Sequence, residues 1–381
     1  KRAVFGDDDR WQVELESGER LSARALVSGL GQLNVPYIPA FPGADRFSGE
    51  SFHSARWNHD LSLAGKRVAV IGTAASALQF IPPVAREAAQ LYVYQRSPNY
   101  VVRRGDRACH DREKSLFARL PLAQKLARLL VWLRGEWVLY PVLRSNSRIA
   151  RALLERKSRQ FLEEEIKDPA LRRKLTPDYR IGCKRILFSD DYYSAFRRST
   201  VELVTSPIVG LDERGVVTGD GEERPVDVVI YGTGFRTHPM QAQVEFLGRD
   251  GRSLAEAWAG GEEAYRGVCT AGFPNFFMLY GPNTNLGSNS IIFMVERQCR
   301  YVTACIEKLL AHDLARLEVN AGVQRAYNDR MQGELAQTVW ASDCASWYKD
   351  AAGRISNNWP RSTAAYWWHM RGPDFADFDM A

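Results

Sequence analysis

A chain of 381 residues with 45% hydrophobic and 25% charged residues has the composition of a globular protein, with enough length for two to three domains. Its formal charge of +6 gathers in residues 103–185, where Glu163, Glu164 and Glu165 interrupt the basic runs. This reads as a solvated helical surface rather than a nucleic-acid-binding patch, with a patch for an anionic cofactor as the competing reading.

The six cysteines (Cys109, Cys183, Cys269, Cys299, Cys305, Cys344) form no C-x-x-C pair. Neither a disulfide framework nor a metal site is expected, and reduced thiols of a cytoplasmic protein are the simplest reading. Arg134 and Glu136 break the most apolar stretch, residues 129–143, so no transmembrane segment is expected. A helix lying on a membrane surface is the alternative for that stretch.

In chain order, Trp11-Gln-Val-Glu-Leu15, a turn at Ser17-Gly18-Glu19 and a run from Leu21 read as a strand pair. Residues 25–31 read as a buried strand ending in a glycine turn, and the proline-rich residues 35–43 as a stiff connector leaving a first domain. Phe47, Gly49, His53 and Trp57 then fall in an F-x-G-x-x-x-H-x-x-x-W string. Alone, such a string is equally compatible with a packed interdomain linker.

Strand, glycine turn, helix and strand follow in residues 67–71, 72–77, 78–89 and 91–95, a βαβ unit of a dinucleotide-binding domain. The turn holds Gly72, Thr73, Ala74, Ser76 and Ala77, with alanine at the second and third glycine positions of G-x-G-x-x-G. Ala77 is a mild change, whereas Ala74 puts a methyl group toward the phosphates. Arg96 and Ser97 follow the second strand where a ribose would lie, and a guanidinium there suits the 2′-phosphate of NADP.

Residues 107–175 carry helical periodicity and read as a helical insertion. Beyond it, Lys184 and Arg185 are adjacent cations before an apolar run; one can face a phosphate and the other a different site. Strands return at residues 201–204, 226–235 and 276–283, the last two ending in the turns Gly232-Thr233-Gly234 and Gly281-Pro282-Asn283. A helix is expected from about Ile291. Trp340, Trp347, Trp359, Trp367 and Trp368 fit core packing as well as a substrate tunnel, and none is assigned to catalysis.

Taken in order, these motifs resemble those of the type I Baeyer–Villiger monooxygenases, class B flavin-dependent enzymes, over residues 11–366. The resemblance implies an α/β fold of two dinucleotide-binding, Rossmann-like domains with a helical insertion. The first domain lacks its amino-terminal βαβ unit in this reading, since no G-x-G-x-x-G turn precedes Lys66. The expected divisions are 1–57 (end of the first part of an FAD-binding domain, and linker), 58–200 (NADP-binding domain with the insertion) and 201–381 (remaining strands and return to the FAD domain).

The activity implied is NADPH- and O2-dependent conversion of ketones to esters or lactones through a C4a-peroxyflavin, with FAD and NADPH as cofactors. Arg185 would be the catalytic arginine. Gly72, Thr73, Ala74, Ser76, Ala77, Arg96, Ser97 and Lys184 would bind NADP, and Gly232, Thr233, Gly234, Gly281, Pro282 and Asn283 would bind FAD. Phe47, Gly49, His53 and Trp57 would couple the domains. The partners implied are a small-molecule ketone and O2, with no nucleic acid. Two other readings stay open: an N- or S-oxygenating flavin monooxygenase, and a truncated NADP-binding chain without oxygenating activity, since a chain lacking the first glycine turn is not expected to hold FAD.

Overall fold

The computed structural model describes residues 1–144, 147–241, 243–342, 346–350 and 352–381. It divides into two compact units, one of residues 1–34, 116–147 and 237–381, the other of residues 35–115 and 148–236.

The second unit is built on a five-stranded parallel sheet in the order Val201–Val204, Gln90–Tyr94, Arg67–Ile71, Val228–Tyr231, Glu50–His53. Its central strands are almost uninterrupted apolar runs, because both faces are covered. On one face the helix Ala75–Glu87 turns Leu78, Ile81, Val84 and Ala85 inward at helical spacing, onto a core shared with Phe161, Tyr192 and Tyr193. On the other face, Ala69, Val229 and Tyr231 pack with Leu211 and Val216 of a three-stranded antiparallel sheet.

Two segments lie elsewhere than the sequence reading put them. The strand Glu50–His53 is not linker: it pairs with Val228–Tyr231, with His53 opposite Tyr231, so the F-x-G-x-x-x-H-x-x-x-W string starts in this sheet. Helices occupy most of the 107–175 stretch from Asp111 onward, but residues 116–147 cluster with the first unit, and 107–115 and 148–175 with the second. Helical periodicity reports amphipathic turns and not which neighbour they pack on.

The first unit holds a four-stranded sheet in the order Glu245–Leu247, Arg2–Phe5, Trp11–Glu14, Arg20–Ala23. Trp11 fills its core against Phe5 and Phe276 and donates Nε1–H to the Pro274 carbonyl at 2.9 Å, which satisfies the one polar atom of a fully buried indole. A parallel pair, Leu26–Ser28 with Phe276–Met278, and the helix Ile291–Ala311 complete its framework.

Among the described residues no helix is long and apolar enough to cross a membrane, and no group of three or more potential ligands could hold a metal. Cys109, Cys269, Cys299 and Cys305 are free thiols, as expected. Cys183 departs from expectation in being disulfide-bonded, and Cys344 lies outside the described residues. Trp340 and Trp359 are buried in the core, whereas Trp367 and Trp368 are exposed; Trp347 packs on Tyr348.

Candidate cofactor and active site

In the second unit the chemistry-bearing residues collect at the carboxyl edge of the parallel sheet. Gly72 ends the strand Arg67–Ile71 at φ +108°, and a Cβ there would meet the Gly232 carbonyl oxygen at 2.4 Å. Only glycine fits that approach. Ala77, where a third glycine was expected, faces Gly232 instead: a Cβ on Gly232 would come within 3.1 Å of the Ala77 methyl. The close packing of helix and strand is thus preserved, with the glycine supplied by the neighbouring strand.

Ala74 stands at the start of the helix Ala75–Glu87, exposed and without a side-chain cap bond, and the first turn, which includes Ser76, holds no acidic residue. The helix's opening N–H groups have no side-chain cap from Ala74, and their partial positive charge suits an anion. Asn99 fixes the turn by donating Nδ2–H to the Thr73 carbonyl at 3.0 Å.

Beside this turn lie the cations. Lys184 donates from Nζ to Ser97 Oγ at 3.0 Å and rides 4.5 Å from the centre of the Tyr179 ring. Burial and the charge of Arg96 hold its ammonium below the ordinary lysine range, with Asp178 pulling the other way. Arg96 is exposed and, among the described residues, makes no hydrogen bond or ion pair. A lysine whose charge is disfavoured by a neighbouring guanidinium marks a site short of negative charge, which fits a phosphate.

The two loops are stapled together. Tyr100 donates its hydroxyl proton to the Tyr179 carbonyl at 2.8 Å, Tyr179 donates to the Pro98 carbonyl at 3.0 Å, and their rings meet edge to face. Tyr179, Asn99 and Tyr100 had no place in the sequence reading; Tyr179 lies in the Pro-Asp-Tyr-Arg run before Gly182, and that position was the available signal. Arg185, the next residue, is exposed and makes no hydrogen bond or ion pair among the described residues.

The expected domain-coupling residues take structural positions in this unit. A Cβ on Gly49 would strike the Asp227 carbonyl and the Phe47 ring, each at 2.5 Å, so glycine is required where the strand begins. Trp57 packs edge-on against Phe52 and Phe80. His53 is 2% exposed; its Nδ1 accepts from the Ala55 N–H at 3.1 Å, which leaves the proton on Nε2. Its ring meets Phe235 at 5.5 Å. Burial holds the imidazole below its ordinary range, the Gly234 backbone opposes this, and Arg56 adds to it.

Gly232, Thr233 and Gly234 belong to this same unit, beside Gly72, whereas Gly281 belongs to the first unit. Thr233 donates its hydroxyl to the Tyr37 carbonyl, Tyr37 N–H donates to Gly234, and Arg236 N–H to Val35. Residues 35–37 and 233–236, which border the unit, thus run as a hydrogen-bonded antiparallel pair.

In the first unit, the loops following Leu26–Ser28 and Phe276–Met278 converge. Gln32 donates to the carbonyls of Tyr280 and Gly281 at 3.1 and 3.3 Å, and Asn283, at φ +55°, donates to those of Ile355 and Asn358 at 2.9 and 3.0 Å. A Cβ on Gly281 would meet the Gly267 carbonyl at 2.5 Å; Pro282 bridges the two anchored residues. Gln32 Oε1, Asn283 Oδ1 and Gln241 Nε2 are buried without partners among the described residues. Ser290 heads the helix Ile291–Ala311 without a side-chain cap, and its first turn is free of acidic residues. Unsatisfied polar atoms and an open helix start fit a flavin with its polar ring edge and negative charge. Gln32 and Gln241 were not singled out from sequence.

Parallel sheet, glycine turns and phosphate-hungry cations define a dinucleotide-binding α/β protein. Residues 1–241 match the family model described as flavin-binding monooxygenase-like. The chain is 43% identical over 369 residues to a Baeyer-Villiger monooxygenase of Pseudomonas aeruginosa, covering 95% of this chain and 68% of the relative. It is also similar to an oxidized steroid monooxygenase bound to NADP (TM-score 0.86, 30% identity, 100% of this chain and 79% of that one). A third likeness is to OTEMO in complex with FAD and NADP (TM-score 0.87, 25% identity, 100% of this chain and 80% of that one). The chain belongs to the flavin-binding monooxygenase-like family, and it is an oxidoreductase of the FAD- and NADPH-dependent kind.

Proposed function

We propose that the protein inserts an oxygen atom beside the carbonyl of a ketone, giving an ester or lactone at the expense of NADPH and O2. The observation that supports the residue assignments is the contrast between two adjacent cations: Lys184 contacts Ser97 and Tyr179, while Arg185 is exposed and unpaired among the described residues.

When bound, nicotinamide and flavin supply the hydride and the activated oxygen. The chain's own residues position and stabilise. Lys184, Arg96 and Ser97 would hold the 2′-phosphate of NADPH, and the Gly72–Ala77 turn its pyrophosphate. Gly281, Pro282 and Asn283, with Gln32 and Gln241, would hold the flavin ring. Gly232, Thr233 and Gly234 would contribute through the paired connectors, as would Phe47, Gly49, His53 and Trp57 through the sheet edge. Arg185 would face the negative charge that develops on the ketone oxygen; a guanidinium stays protonated throughout and so stabilises that charge without exchanging a proton. A cytoplasmic setting, where NADPH is supplied, belongs to the same proposal.

The Arg185→Ala variant tests the assignment. NADPH-driven reduction of the flavin should persist near the wild-type rate while ester formation falls roughly 100-fold or more. Ester formation at the wild-type rate would remove Arg185 from the chemistry.

A further inference from the structure

The helix Pro121–Arg134 belongs to the first unit, yet it contains no buried residue. Leu122 is 77% exposed, and Leu126, Leu129 and Leu130 are exposed with it. At 100° per residue, these four and Leu133 fall within an arc of about 100°, so they form one continuous apolar stripe. The π-helical turn Gly135–Leu139 extends it with Trp137, 77% exposed.

The base of this helix is firmly held. Trp132, roughly 100° round the axis from the stripe, donates Nε1–H to Thr363 Oγ1 at 3.0 Å and packs on Phe293. Glu136 is buried and accepts from the Thr363 N–H at 3.1 Å and from Asn289 Nδ2 at 3.0 Å. The stripe is thus presented to its surroundings by an anchored element, not left over by a loose one. Large exposed apolar patches of this kind mark interaction surfaces.

Charge decides what it meets. Residues 115–135 contain Arg119, Lys125, Arg128 and Arg134 and no aspartate or glutamate. All four cations are exposed, and none joins an ion pair among the described residues. An apolar stripe flanked by exposed cations, Lys125 and Arg134 each about 40° beyond one of its edges, with a tryptophan at its end, matches the interfacial plane of an anionic bilayer: leucines enter the acyl boundary, and long basic side chains reach up to phosphates. A second copy of this chain is disfavoured, because it would bring two basic rims together.

We propose that the helix Pro121–Arg134, with Trp137, is a docking element that lies flat on an anionic lipid surface. It does not span the membrane. The proposal is independent of the flavin chemistry.

Vesicle flotation of the full-length protein tests it. The protein should float with phosphatidylglycerol–phosphatidylcholine vesicles and not with phosphatidylcholine alone, and added salt should weaken the binding. The double variants Leu126→Glu/Leu130→Glu and Lys125→Glu/Arg134→Glu should each lower vesicle affinity roughly tenfold or more. Their side chains are exposed, so circular dichroism and melting temperature should stay at wild-type values. Failure to float with either vesicle would overturn the proposal, as would wild-type binding by either variant. A dimer that dissociates in Leu126→Glu/Leu130→Glu, without vesicle binding, would assign the surface to a second copy instead.

Discussion

Lys184 reaches across two loops to Ser97, with its ammonium 4.5 Å from the Tyr179 ring centre. This pairing presents a partly buried cation, already held below the ordinary lysine range by burial and Arg96, to whatever anion enters. Lys184→Ala should therefore weaken NADPH binding by roughly 10- to 100-fold while leaving NADH binding nearly unchanged. Calorimetric titration with each nucleotide reads the difference. Equal losses for both nucleotides would place Lys184 away from the 2′-phosphate.

Gly72 cannot carry a side chain. At φ +108°, with the Gly232 carbonyl 2.4 Å from the Cβ position, Gly72→Ala should cost about 1–3 kcal/mol through strain and overpacking. A thermal melt of the variant should show the loss, together with weaker NADP binding. A melting temperature equal to wild type would mean that the turn relaxes freely.

His53 gives a pH signature with a definite sign. Its folded-state pKa lies below the ordinary 6.5, so on acidification the unfolded chain takes up a proton before the folded ring does. The stability it contributes is complete above pH 6.5 and is lost as pH falls through the folded value. His238 acts oppositely. Burial disfavours its charge, but Glu262, bonded at 2.7 Å, more than offsets this and raises the pKa, so its contribution is complete below 6.5 and is lost as pH rises. Comparing His53→Gln with wild type cancels the His238 trend. The gap in melting temperature should narrow from pH 7.5 to pH 5.5; a constant gap would contradict a neutral, buried His53.

The βαβ unit was legible because its signals are local: an apolar run, a glycine turn and helical spacing within residues 67–95. Lys184 and Arg96, 88 residues apart, were joined by the family resemblance and not by any local pattern. What escaped depends on distant pairing. Glu50–His53 joins the sheet through Val228–Tyr231, a partner nearly 180 residues away, and no short window encodes that. The same holds for Gly232 serving the role expected of a glycine at position 77, and for Tyr179 as the shelf under Lys184. Gln32 and Gln241 were silent for another reason: only the folded loops reveal that their amides are buried with an atom unpaired among the described residues.

The central claim is that oxygen enters beside a ketone carbonyl. The most direct measurement supplies full-length protein with FAD, NADPH, 18O2 and a panel of cyclic and linear ketones, and follows products by mass. Esters or lactones carrying one 18O atom should form in step with NADPH consumption. Sulfoxides or N-oxides from added sulfides and amines with no ester from any ketone, or NADPH oxidation without an oxygenated product, would contradict it.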